Sequence, residues 1–311
     1  MTTKVTDSYG RHYAQSSSAD ADQAEFNALK YGAASVDAGT YDDRLAGTLD
    51  DPDAGENRER WHREDLRSDT AAGRTQEEIE RRAALLGAAY PFTLDQGTLA
   101  YAESPGRLYE FFLCICNTQL TQGEHAWLPR VFERVAARLV AAYFGACAQS
   151  IHVGFPRDDV VGKSFRKAMA TVAQRTGEWT WGPDEGLPSE YHRGDEGCDF
   201  VVCLDAADGR QIGQLFVLGQ CACGNDWDTK FGDLNLERLR KWFKPFPVVE
   251  PVRSFATPHH VADVRLREVS RESGLFFDRA RLTSIASEAP SDVLDEGIEQ
   301  RIRNLVQLVL S

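Results

Sequence analysis

Two oxygen-bearing side chains stand at telling places in the chain. Asp199 opens the apolar run CDFVVCL (198–204), and Gln220 lies near the end of the run QIGQLFVLGQC (211–221). Between them, Ala206-Ala207-Asp208-Gly209-Arg210 carries the Asp-Gly signal of a hairpin turn. Folding the chain back at that turn brings position 199 beside position 220 and aims both from one sheet edge into a common cleft. A divalent cation such as Mg²⁺ or Mn²⁺ takes oxygen ligands. The expected set is the Asp199 carboxylate, the Gln220 amide carbonyl and the Cys221 backbone carbonyl. A cation held there polarises a phosphoryl oxygen and lowers the pKa of a bound water that attacks phosphorus.

The elements that must position these groups follow a helix–strand rhythm. Residues 124–144 form an amphipathic helix with Trp127, Val131, Val135, Leu139 and Ala142 on one stripe, ended by Gly145. SIHVGF (150–155) is a short strand, and residues 164–176 form a helix capped by Ser164 and stopped by Gly177. Residues 198–204 and 211–221 are buried strands, 235–243 a short helix with a basic face, and 246–250 a further strand. Strands are also expected around 252–256 and 262–268, and a helix over 291–310. Upstream, Thr75 starts a helix that runs to Gly87, Asp95-Gln96-Gly97 turns a hairpin, and 108–120 is a strongly apolar helix. Residues 1–70, with the loop-like stretch LDDPDAGENRER, read as irregular or loosely helical. The chain therefore divides into an N-terminal extension (1–70), a helical subdomain (71–123), an α/β core (124–250) and C-terminal strands and helix (251–311).

The order helix–strand–strand–strand–helix–strand, with an acid opening the second core strand, resembles the PD-(D/E)xK nuclease superfamily. That resemblance implies an α/β, restriction-endonuclease-like mixed sheet flanked by helices. It matches Asp199 to the family's Asp, Gln220 to the Asp/Glu/Gln of the third strand, and Glu133, in Phe132-Glu133, to the acid of the first helix. The family's Lys belongs two residues after Gln220, where this chain has Ala222. Lys230, after GNDWDT, is the candidate replacement and Lys163 a weaker one. The implied activity is metal-dependent DNA cleavage. The run GQCACGNDWDTK also resembles proteins of bacterial phage-defence loci, which implies protein partners in a defence complex. Loss of the Lys points equally to a degenerate relative that binds nucleic acid or scaffolds a complex without cutting.

Composition limits the alternatives. The 311 residues are 42% apolar and 27% charged, as in ordinary globular proteins. No apolar run reaches membrane-helix length and no secretory signal opens the chain, so a cytoplasmic protein without a membrane partner is expected. The net charge of −13 argues against tight, solitary, nonspecific DNA binding. Residues 128–182 nevertheless carry 8 basic against 4 acidic side chains, enough for a local basic surface. The seven cysteines mostly sit in apolar runs and read as reduced, buried thiols rather than zinc ligands. Gly162-Lys163-Ser164 lacks the upstream glycine of a phosphate-binding loop and reads as a helix start. His259-His260 is a poor metal pair because neighbours in a strand point apart, and Trp179 and Trp181 read as core.

Overall fold

The computed structural model describes residues 3–37, 58–120, 122–157, 161–186, 196–206, 208–244 and 246–311, with backbone alone for 3–15 and 58–68. Among these, helices α1 (Thr3–Tyr31), α2 (Arg58–Leu86) and α3 (Leu108–Cys116) accompany a small antiparallel sheet. That sheet contains β1 (Ala33–Ser35), β2 (Phe92–Asp95) and β3 (Thr98–Tyr101) in the order β1-β3-β2. There follow α4 (Trp127–Phe144), β4 (Ala148–His152), α5 (Phe165–Thr176), β5 (Phe200–Leu204) and β6 (Leu215–Cys221). The chain closes with α6 (Leu236–Arg240), β7 (Val252–Ala256), α7 (Asp263–Ser273), β8 (Leu275–Phe277), α8 (Arg279–Glu288) and α9 (Glu296–Leu310).

The main sheet has five strands in the order β4-β5-β6-β7-β8. The first three are antiparallel, and β7 and β8 run parallel to β6. A parallel pair needs a crossover, and the stretch containing α6 supplies it between β6 and β7. The fold is thus α/β, with a mixed five-stranded sheet and a three-stranded antiparallel sheet flanked by helices. Strand periodicity explains the layering. Phe200, Val202 and Val217 face α3, α4, α8 and α9, while Val201, Cys203, Phe216 and Leu218 face α5 and the aromatic group Trp179, Trp242 and Phe243. Gly219 is required by this packing, because a Cβ there would overlap the ring of Phe200 on the neighbouring strand.

Several expectations hold in outline. The hairpin turns at Gln96-Gly97, Ser164 caps α5 by accepting from the Lys167 amide, and Gly177 ends that helix at φ 68°. Trp179 is buried and Trp181 stacks on Trp242, so both belong to the core. Others need correction. Residues 246–250 form no strand, and 262–268 lie mostly in α7, where Leu266, Val269 and Ser273 recur at helical spacing. The return strand begins at Leu215 rather than Gln211, because Gly213 takes φ 78° and prolongs the loop. The N-terminal segment is more helical than its composition suggests. Most of LDDPDAGENRER lies outside the described residues, but its last three belong to α2.

A buried ionic network ties α1 to α2 and α8. The Arg279 guanidinium grips Asp22 with two bonds, Nη1 to Oδ1 at 2.9 Å and Nη2 to Oδ2 at 2.8 Å. Arg82 donates to Asp22 at 2.7 Å, Glu25 at 2.9 Å and Glu78 at 3.2 Å. Tyr90 and Tyr109 add hydroxyl donors to Glu25, and the His260 ring meets Glu78 at 3.0 Å. Both arginine side chains are fully buried.

These environments fix a pH window. Burial raises the Asp22 and Glu78 carboxyls, but the arginines around Asp22, and His260 with Arg82 around Glu78, outweigh it and hold both below their usual values. Burial, aided by Arg279, holds His259 below 6.5. Burial pushes Cys114 and Cys116 up to about 12 and Cys203 up to about 11 from 9.0. Depressed groups lose their stabilisation as pH falls, and raised thiols lose theirs as pH rises. Stability is therefore expected to be flat between about pH 7 and 9. It should decline below 6.5 as unfolded His259 takes up a proton, and more steeply below 4.5 as the carboxylates follow. It should decline again above 9.0 as unfolded thiols ionise. Urea midpoints measured from pH 3 to 11 check this profile.

Candidate functional site

Glu133, His152 and Asp199 come from three different elements and meet around one glycine. Glu133 lies on α4, His152 is the last residue of β4, and Asp199 immediately precedes β5. A Cβ built on Gly154 would stand 2.6 Å from Glu133 Oε2, 3.0 Å from Asp199 Oδ1 and 3.3 Å from His152 Nε2. Position 154 is thus a cradle in which any larger residue would crowd these three side chains. His152 Nε2 meets Glu133 Oε2 at 2.9 Å. The amide of Cys221 donates to Asp199 Oδ2 at 2.6 Å.

The local sequence explains this arrangement. Asp199 continues the β5 ladder, its amide donating to Gly219 O at 2.8 Å and its carbonyl accepting from Val153 and Gly154 at 2.7 and 2.8 Å. Its side chain is held where the sheet ends. Period-two alternation in β4 buries Ile151 and Val153 against the α5 layer and turns His152 toward α4. Phe132 anchors α4 in the first core, which fixes Glu133 at the core's edge. Arg134 Nη2 donates to Pro156 O at 2.9 Å and ties α4 to the segment after Gly154. The site is sheltered: Asp199 is 9% and His152 8% exposed.

Not every expected ligand arrives. Gln220 lies opposite Asp199 in the hairpin, but its amide is engaged elsewhere: Nε2 donates to Lys230 O at 2.8 Å and Oε1 accepts from Leu234 N at 3.2 Å. At period-two spacing it shares the α5 side of the sheet with Phe216 and Leu218, and it braces the loop 230–234. The Lys230 ammonium pairs with Asp226 at 3.2 Å on the surface. Lys163 directly precedes the α5 cap, with its carbonyl accepting from Arg157. Cys221 contributes its amide to Asp199, and its thiol is pushed up by burial and by the charges of Asp199 and Glu133. His152 carried no motif that marked it in the sequence; its only signal was a polar ring in an apolar strand, two residues before a glycine. His259 and His260 diverge, one to Cys223 O and the other to Glu78.

The donor set can be weighed against the divalent cation that the family resemblance implies. Among the described residues no group of three His, Cys, Asp or Glu side chains stands in a metal-ligating arrangement. Mg²⁺, however, is commonly held by only one or two carboxylates together with waters and substrate phosphate. Glu133 and Asp199 offer two such carboxylates beside Gly154, and that chemistry fits a hard cation. Gly154→Ala is therefore expected to push Glu133 and Asp199 apart and weaken cation binding at least tenfold, on the order of the effect of other residues that only orient metal ligands. Calorimetric titration with Mn²⁺ would measure it, and unchanged affinity would show that the cradle is not used.

No protein-family model, curated protein or solved structure matches this chain. No helix among the described residues is long and apolar enough to cross a membrane.

Proposed function

We propose that this chain is a divalent-cation-dependent phosphodiesterase that cuts DNA on a restriction-endonuclease-like core, as a subunit of a bacterial restriction or phage-defence complex. The observation that carries the proposal is the convergence of Glu133 and Asp199 beside Gly154. The order α4–β4–β5–β6–α6–β7 supports it, since it repeats the helix and strand order of the PD-(D/E)xK core with α5 inserted. Lys163, Arg166 and Lys167 at the start of α5 supply positive charge for a phosphate backbone. The net charge of −13 supports a partner that shares the phosphate contacts.

In this reading Glu133 and Asp199 hold the cation, Mg²⁺ or Mn²⁺. When bound, the cation supplies Lewis-acid polarisation of the phosphoryl group and a more acidic water. The protein's own work is positional. The Cys221 amide fixes one Asp199 oxygen, and the other lies on the Gly154 side. His152 orients Glu133. Low exposure strengthens every charge interaction within the site.

A second reading has observations of its own. Position 222 is Ala, and the Lys230 ammonium is paired with Asp226. Both favour a nuclease-like scaffold or nucleic-acid-binding subunit that does not cut. Mn²⁺ binding followed by electron paramagnetic resonance, together with cleavage assays on plasmid, linear and single-stranded DNA, separates the two. Binding and cleavage that both disappear in Glu133→Gln support the phosphodiesterase; a wild-type protein that neither binds the ion nor cuts supports the scaffold.

A further inference from the structure

Next to the Glu133–Asp199 centre lies a cavity of about 510 Å³, between the end of α3 and the segment that follows β6. Its walls include Cys116, Asn117, Thr118 and Gln119 on one side and Cys223 and Asn225 on the other. Cys223 comes two residues after Cys221, the residue whose amide holds Asp199. The cavity and the acidic centre are therefore neighbours.

The lining specifies the ligand's chemistry. None of its side chains is charged, so it offers a phosphate no ion pair. The carbonyl end of α3 also faces this region, and the partial negative charge of a helix C-terminus repels anions and attracts hydrogen-bond donors. Asn117 Nδ2 donates to Leu113 O at 2.9 Å, which leaves its Oδ1 as an acceptor. Asn225 and Gln119 add two more carboxamides at the rim. The buried Cys223 thiol is a soft surface suited to the face of a flat ring. The volume is that of a small-molecule site.

We infer that this cavity is a nucleobase subsite beside the proposed phosphodiesterase centre, and that it takes a base whose hydrogen-bonding edge presents an amino group, adenine or cytosine, in preference to thymine. The inference rests on the phosphodiesterase reading for its biological meaning. A carboxamide oxygen and helix carbonyls accept from an exocyclic amine, whereas thymine offers them a carbonyl at that position.

Saturation-transfer NMR of the full-length chain with deoxyadenosine, deoxycytidine and thymidine tests it without a phosphate or a cation. Deoxyadenosine or deoxycytidine is expected to bind at least about fivefold more tightly than thymidine, as one lost hydrogen bond of about 1 kcal/mol implies. Asn225→Trp, at an exposed rim position, is expected to roof the cavity and remove the signal while leaving Mn²⁺ affinity unchanged. Equal response to all three nucleosides, or undiminished binding in Asn225→Trp, overturns the subsite. Failure of wild-type DNA cleavage would overturn the phosphodiesterase reading separately, because the nucleoside measurement does not depend on it.

Discussion

Asp199→Asn is expected to lower Mg²⁺-dependent DNA cleavage by more than about 100-fold, since residues that merely orient a metal's ligands are already worth about 10–100-fold. The substitution removes the charge and keeps the shape. Asparagine can still accept from the Cys221 amide, which donates to Asp199 at 2.6 Å in the native protein, so the strand end stays in place. Circular dichroism and the urea midpoint should change little. Glu133→Gln should act similarly, and the double variant should lose little more than either single one, because the two carboxylates serve one centre. Single-turnover cleavage of a labelled duplex, with Mn²⁺ affinity measured on the same samples, would decide. Cleavage that survives in both variants would mean that the chemistry, if present, lies elsewhere in the molecule.

The second large effect concerns stability. Arg279→Met is expected to destabilise the fold by about 3–5 kcal/mol, the usual cost of stripping one partner from a buried ion pair. Asp22, its side chain 16% exposed, would lose its two-pronged partner, and the fully buried Glu25 one of its cations. Pro258 O and the Cys116 thiol would lose their donor as well. The melting temperature should fall on the order of 10 °C. Arg279→Lys should recover only part of this, because an ammonium cannot span both Asp22 oxygens and Pro258 O together. Arg82→Met should behave alike. Combining Arg279→Met with Arg82→Met should cost much less than the two losses added, since the sites share Asp22 and Glu25. Additive losses would show that the arginines act independently. The fold needs this network because α1 is attached to the rest of the core through it as well as through small apolar residues such as Ala21, Ala24 and Ala28.

Much of the local architecture was readable from pattern alone. The α4 stripe, the Ser164 cap, the Gly177 stop, the two apolar strands of the central hairpin and the 92–101 hairpin follow from periodicity and turn chemistry, which act over a few residues. The tail was harder. Residues 262–268 alternate well enough to suggest a strand, yet Asp263 begins α7, whose apolar residues at 266 and 269 pack against the core. The N-terminal helices were veiled by polar composition, because ion pairing inside the core replaces the apolar stripe that ordinarily marks a helix.

For the candidate site the division is sharper. By itself the sequence determined that an acid stands at the head of a buried strand, and that another lies on the preceding helix. It also placed Ala at position 222, where the resemblance to the PD-(D/E)xK superfamily leads one to expect a lysine. Only the tertiary structure decided which groups Asp199 meets. Gln220 was directly across the hairpin, but its amide is spent on the loop 230–234. His152 and Gly154 come from a strand outside that hairpin and complete the cluster instead. The physical reason is that side-chain encounters across a sheet depend on register, twist and the packing of both layers. None of these is carried by the spacing of residues along a single segment.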